Sequence, residues 1–131
     1  MKILIAEDEK AMSDALAAVL KHFGYEVDAV YDGLAATEKA RENSYSCMIF
    51  DIMMPKIDGF TMIRHIRKTD QQIPVLFLSA RSAANDVVEG FELGGNDYLK
   101  KPFGMAELII RIKALLNKIS AVSYTHLRAH E

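Results

Sequence analysis

The chain has 131 residues, a formal net charge of −2 and 50% hydrophobic residues, which is typical of one globular domain. The chain is slightly acidic overall and has no basic stripe that could neutralise the phosphates of a nucleic acid. Direct DNA binding by this segment is therefore not expected. The single cysteine, Cys47, excludes an internal disulfide and lies in an apolar run that predicts burial. No apolar run approaches the roughly 20 residues of a membrane span, and the N-terminus does not resemble a signal peptide. We therefore expect a cytoplasmic protein without a membrane partner.

Five short segments have the patterns of β-strands. Residues 3–6, 47–50 and 73–78 are almost entirely apolar, as in strands that are covered on both faces. Residues 25–31 alternate between apolar and polar side chains, which predicts a half-exposed strand at the edge of a sheet. Residues 97–100 form a short fifth candidate.

Helical periodicity separates and follows these strands. The predicted helices cover about residues 10–23, 34–42, 60–68, 83–93 and 105–117. Strict alternation of strands and helices with short loops predicts an α/β fold with a doubly wound parallel sheet. We expect five strands in the order 2-1-3-4-5 and five helices, which is a flavodoxin-like architecture.

Polar side chains follow or end four of the predicted strands. They are Glu7, Asp8, Glu9, Asp51, Ser79 and Lys101. The carboxyl ends of parallel strands meet at one edge of a sheet, so these groups are expected to converge there. Clustered carboxylates repel one another unless a cation neutralises them, and Mg²⁺ prefers a few carboxylates with water. A hydroxyl and an ammonium suit phosphate oxygens, so the set predicts phosphoryl transfer.

The order of these residues resembles that of a response-regulator receiver domain over about residues 2–119. The motifs that carry the resemblance are Glu7-Asp8-Glu9, Asp51 with Met54-Pro55 and Asp58-Gly59, Ser79-Ala80-Arg81, and Asp97-Tyr98 with Lys101-Pro102-Phe103. The resemblance implies a two-component signalling switch. Such a domain is no conventional enzyme, since its activity is limited to self-phosphorylation and slow self-dephosphorylation.

The resemblance also implies how the phosphoryl group would be accepted. Asp51 would be the phosphoacceptor for a sensor histidine kinase, and Ser79 and Lys101 would bind the transferred group. A cis peptide bond would join Lys101 to Pro102.

Metal binding and switching follow from the same resemblance. Asp8, Asp51 and the backbone carbonyl of Met53 would ligate Mg²⁺ directly, while Glu7 would act through water. Tyr98 would respond to the movement of Ser79 towards the phosphoryl group. The surface formed by the fourth predicted helix, the fifth strand and the fifth helix would then change shape.

The segment 107–111 resembles the subclass whose receivers precede a winged-helix DNA-binding domain and form homodimers through that surface. The subclass has a basic residue where this chain has Val87, and a second acid where it has Asn96. We therefore expect Glu107 and Arg111 to lack ion-pair partners, which leaves dimerisation open. Transcription would be regulated through DNA contacts of an effector domain that is missing from this chain.

Two other functions remain open from the sequence. A stand-alone receiver would act in a phosphorelay or by docking to a partner protein. A Mg²⁺-dependent phosphohydrolase would use Asp51 as its nucleophile, but such enzymes need a second acid two residues later, where this chain has Met53.

The composition of the chain changes near its C-terminus. Residues 1–120 are predicted to form the receiver domain, whereas residues 121–131 continue no periodic pattern and resemble a translated sequencing-library adapter. We predict that this tail is disordered or non-native, with a native interdomain linker as the alternative.

Overall fold

The computed structural model describes residues 1–54, 59–68, 72–79 and 96–128. Its strands are β1 (Lys2–Ala6), β2 (Glu26–Val30), β3 (Cys47–Asp51), β4 (Val75–Ser79) and β5 (Asp97–Lys100). All of their pairings are parallel, and the sheet order is β2-β1-β3-β4-β5. The predicted topology, with β2 at an edge, is confirmed.

Within the described residues, three helices precede the last strand and a fourth follows it. They are α1 (Lys10–His22), α2 (Gly33–Glu42), α3 (Gly59–Arg67) and the C-terminal helix (Met105–Arg128). The helix predicted over residues 83–93 lies outside the described residues. No helix in the described part of the chain is both long and apolar enough to cross a membrane.

The C-terminal helix continues beyond its predicted end at residue 117. Its backbone is helical to Arg128, so the helix extends into the predicted tail of residues 121–131, and the disorder of that tail stays a prediction. Residues 118–128 contain neither glycine nor proline, and therefore lack the strongest signals that end a helix. The non-native origin of the tail stays a prediction.

Two apolar layers hold the sheet between the helices. One includes Met48 and Phe50 of β3 together with α3 residues, and the other includes Ile49 of β3 together with α1 and C-terminal helix residues. Every residue of β3 is buried, as the apolar sequence predicts for a central strand. Cys47 is fully buried as expected, and burial raises the pKa of its thiol to about 12.

The register of the strands determines which chain segments meet at the carboxyl edge of the sheet. Ala6 of β1 lies opposite Phe50 of β3, so Glu7 and Asp51 follow at the same level. On the other side, β3 pairs with β4, and the last paired positions of β4 and β5 are Ser79 and Lys100. The carboxyl edge therefore gathers the residues that end β1, β3, β4 and β5.

Candidate functional site

The carboxyl edge brings together the acidic and hydroxyl side chains singled out in the sequence. Glu7 and Ser79 are fully buried, and Asp51 is only 4% exposed, whereas Asp8 is exposed. Buried polar groups are costly unless they are paired. The site is thus a partly enclosed group of acids, in which Glu7 and Asp51 are buried and Asp8 is open to solvent.

Lys101 supplies the cation that compensates the two buried carboxylates. Its Nζ lies 2.5 Å from Oε1 of Glu7 and 3.1 Å from Oδ2 of Asp51. The side chain of Lys101 is 17% exposed, so these contacts are shielded from solvent. The peptide bond between Lys101 and Pro102 is cis, as the sequence analysis expected.

The second oxygen of each buried carboxylate accepts a backbone hydrogen bond. The N–H of Met53 donates to Oδ1 of Asp51 at 3.0 Å, and the N–H of Glu9 donates to Oε2 of Glu7 at 3.2 Å. Both side chains are therefore fixed through two oxygens. These contacts hold the Asp51 carboxylate in one orientation at the carboxyl edge of the sheet, so that it is not free to rotate.

The surroundings of the site shift two pKa values. Burial, followed by the proximity of Asp51, raises the pKa of Glu7 to about 7, although the Lys101 ammonium opposes this change. Burial lowers the pKa of Lys101, but its hydrogen bonds to Glu7 and Asp51 outweigh that effect, so the pKa is raised overall. Lys101 is therefore a stable positive charge at neutral pH.

Three acids at this edge have the arrangement of a metal site. One carboxylate oxygen each from Glu7, Asp8 and Asp51 can be chosen so that all three lie within 4.8 Å of one another. Hard oxygen donors and an opening to solvent suit Mg²⁺, which binds a few carboxylates and retains several waters. The residues present therefore fit a magnesium ion, and Asp8 is the most accessible of the three.

Ser79 and Tyr98 lie on the neighbouring strands β4 and β5. Ser79 ends β4, the strand next to Asp51, and Tyr98 pairs with Phe77 of β4 from its place in β5. Tyr98 is partly buried and packs against the apolar layer that contains Phe50. It does not belong to the carboxylate group but lies on the strand that leads to Lys101.

The expectation that Glu107 and Arg111 lack partners is wrong. Nη1 of Arg111 lies 2.9 Å from Oδ1 of Asp97, and Nη2 lies 3.3 Å from Oε1 of Glu107. Residue 96 is not an acid, but the next residue, Asp97, lies in β5 and reaches Arg111 of the C-terminal helix. Arg111 is thus satisfied within one chain.

Asn96 has a role that its sequence position did not suggest. Its Oδ1 accepts hydrogen bonds from the N–H of Val75 at 2.9 Å and from Nη2 of Arg67 at 3.2 Å. Its own N–H donates to the carbonyl of Val75 at 2.9 Å. The side chain therefore attaches the start of β5 to both β4 and α3.

The sequence profile described as "Response regulator receiver domain" matches residues 3–113. The chain belongs to this family. The match covers all five strands except Lys2, the first residue of β1, and it covers all of the edge described above. Several residues named from the sequence lie outside the described residues. They are Pro55, Asp58, Ala80, Arg81 and Val87.

Known receivers are similar to this one in both sequence and structure. The transcriptional regulatory protein TctD of Salmonella typhimurium is 42% identical over 118 residues, which are 90% of this chain and 53% of TctD. The Francisella response regulator 1452 receiver domain has a TM-score of 0.85 and 33% identity, covering 90% of this chain and 98% of that one.

A third relative carries a metal. The receiver domain of the Pseudomonas aeruginosa sensor histidine kinase PA1611 was solved with a magnesium ion coordinated in its active-site cleft. It has a TM-score of 0.81 and 31% identity, covering 88% of this chain and 97% of that domain. The present chain spans about half the length of the curated relatives that it matches.

Proposed function

We propose that this receiver domain accepts a phosphoryl group on Asp51 from the phosphohistidine of a sensor histidine kinase. The observation that carries the proposal is the placement of the Asp51 carboxylate. It ends the central strand, contacts Lys101 at 3.1 Å and accepts the Met53 N–H at 3.0 Å. A carboxylate held in one orientation beside a cation suits nucleophilic attack on phosphorus.

The transfer would exchange one bond to phosphorus for another. An Asp51 carboxylate oxygen would attack the phosphorus in line with the histidine nitrogen, so that a P–O bond forms as the P–N bond breaks. The histidine ring, protonated on its other nitrogen, would leave as neutral imidazole. The product would be an aspartyl phosphate, and its later hydrolysis would return Asp51 and inorganic phosphate.

Four groups would hold the magnesium ion that the chemistry requires. We assign direct ligation to Asp8, Asp51 and the Met53 carbonyl, with Glu7 acting through water. The accessible carboxylate of Asp8 supports the first assignment, and the two internal hydrogen bonds of Glu7 support an indirect role. When bound, magnesium would neutralise charge on the phosphoryl oxygens.

Ser79 and Lys101 would receive the remaining charge of the phosphoryl group. Phosphorylation adds roughly −1.5 to −2 charge and three acceptor oxygens. The Lys101 ammonium already contacts the oxygen of Asp51 that would bear or neighbour the new group. The hydroxyl of Ser79, at the end of the adjacent strand, would donate a hydrogen bond to it.

We infer that the output runs through β5 and the C-terminal helix. Movement of Ser79 towards the phosphoryl group would free space for Tyr98, whose strand borders the cavity between β5 and this helix. That cavity has a volume of about 460 Å³ and is lined in part by Tyr98, Glu107 and Arg111. The changed surface would regulate transcription through an effector domain, as the names of relatives such as TctD suggest.

Homodimerisation through this surface is part of the proposal and would depend on rearranging the ion pairs of Arg111. A stand-alone receiver would use the same phosphorylation step with a docked partner instead of an effector domain.

A phosphohydrolase is less well supported, because the second position after Asp51 is Met53, with an exposed thioether side chain and no acid.

Incubation with acetyl phosphate tests the phosphorylation step. Intact mass spectrometry should detect one phosphoryl adduct in the presence of Mg²⁺ and no adduct when EDTA is in excess. Equal adduct formation in both samples would contradict the magnesium assignment. No adduct in either sample, with the protein folded by circular dichroism, would contradict the proposed acceptor chemistry.

A further inference from the structure

We propose that Gly59 is a positioning residue for Asp51, an inference that rests on the proposed phosphoacceptor function. Gly59 is buried and begins α3. A Cβ atom at this position would lie 2.8 Å from the backbone oxygen of Asp51 and 3.0 Å from Cα of Ile52. Both neighbours are backbone atoms, so no side-chain rotation could relieve the contact. The backbone of the acceptor Asp51 therefore leaves no space for a side chain at position 59.

A hydrogen bond accompanies this close approach. The N–H of Gly59 donates to the carbonyl of Ile52 at 3.0 Å, and the N–H of Ile52 donates to the carbonyl of Leu78 at 3.0 Å. The residue after the acceptor is thereby held by β4 through its nitrogen and by α3 through its oxygen. The first residue of α3 thus completes the support of the acceptor segment.

This support reaches the reacting groups through one residue. Met53 follows Ile52 directly, and its N–H donates to Oδ1 of Asp51 at 3.0 Å. A displacement of the Asp51–Ile52 peptide would therefore turn both the carboxylate of Asp51 and the carbonyl of Met53. Reacting groups need placement within about 0.5 Å, and a shift of about 1 Å can cost a hundredfold in rate.

The decisive variant is Gly59→Ala, and the chain contains a matched control. A Cβ at Gly104, near the start of the C-terminal helix, would meet no atom within 4 Å. We expect Gly59→Ala to lower the rate of phosphorylation by acetyl phosphate ~10-fold, because the Cβ must displace the acceptor backbone. Mg²⁺ binding, measured by isothermal titration calorimetry, should weaken as well. Gly104→Ala should match wild type in both measurements.

These outcomes separate positioning from stability and from the parent proposal. Rates and affinities are to be compared at a temperature where melting curves show both variants folded. A Gly59→Ala protein that melts earlier but retains wild-type rate and Mg²⁺ affinity would overturn the inference, as would equal losses in both glycine variants. Absence of an adduct in wild type would instead overturn the proposed function.

Amide hydrogen exchange of the wild-type chain provides a test if Gly59→Ala does not fold. Saturation with Mg²⁺ should slow exchange at the amides of both Gly59 and Met53, because one backbone segment joins their hydrogen bonds. Slowing at Met53 with unchanged exchange at Gly59 would contradict the proposed role of Gly59.

Discussion

Nζ of Lys101 lies 3.1 Å from Oδ2 of Asp51, so the residue after the last strand contacts the residue that ends the central one. The same ammonium also contacts Glu7, which follows β1. One cation therefore links three strand ends and balances part of the charge of two buried acids. The negative charge that remains favours the binding of a cation such as Mg²⁺ at this edge of the sheet.

Replacement of Lys101 by methionine should destabilise the fold. It would leave the buried carboxylates of Glu7 and Asp51 without their cation, and loss of one partner from a buried ion pair costs about 3 kcal/mol or more. We expect the free energy of unfolding in urea at pH 7 to fall by about that amount. Lys100→Met is the matched control, because Lys100 is the exposed neighbour in β5 and should change little. Equal stability of the two variants would contradict the role of Lys101.

The side chain of Asn96 should contribute to the stability of β5. Asn96→Ala would leave the N–H of the fully buried Val75 without its side-chain acceptor, which costs about 1–3 kcal/mol. Asn96→Asp keeps an oxygen for both Val75 and Arg67, and should stay close to wild type. Urea denaturation compares the variants. A loss in the aspartate variant as large as that in the alanine variant would refute this explanation.

The hydrogen bond between Tyr45 and Asp28 predicts a dependence of stability on pH. The Tyr45 hydroxyl donates to Oδ2 of Asp28 at 2.7 Å and is the main cause of the lowered pKa of that carboxyl. A carboxyl whose pKa is lower in the folded state stabilises the fold above its unfolded pKa, and this stabilisation is lost as the pH falls through the folded pKa.

Tyr45→Phe should therefore lower the free energy of unfolding by about 1–2 kcal/mol at pH 7. The difference from wild type should shrink as the pH falls below about 4, where Asp28 becomes protonated in the unfolded chain. Tyr31→Phe is the control, since Tyr31 is 43% exposed. Urea titrations at several pH values measure both variants, and a difference that does not change with pH would contradict the assignment.

The topology could be predicted from the sequence because each strand has a distinct polar or apolar pattern. Central β3 is apolar in sequence and fully buried, whereas β2 alternates and lies at the edge. The end of the C-terminal helix could not be predicted in the same way. The helix was predicted to end near residue 117 because the periodic pattern fades there, but loss of a periodic pattern does not by itself end a helix.

The residues that form the site could also be predicted from the sequence, but the contacts between their side chains could not. Strand ends placed Glu7, Asp51 and Lys101 at one edge, and the structure confirms their proximity. From the sequence, Lys101 was expected to contact a phosphate oxygen. Its contact with both Glu7 and Asp51 could not be predicted, because these residues are far apart in the chain and the contact depends on how their side chains are oriented in the fold. The lack of space for a side chain at Gly59 could not be predicted either, since it depends on the positions of backbone atoms of other residues.

The central claim is that Asp51 accepts the phosphoryl group, and intact mass after treatment with acetyl phosphate and Mg²⁺ tests it most directly. Wild type and Asp14→Asn, which changes an exposed aspartate of α1, should each gain the mass of one phosphoryl group. Asp51→Asn should gain none, because its carboxamide cannot form the aspartyl phosphate. An adduct that persists in Asp51→Asn at the wild-type level would contradict the claim.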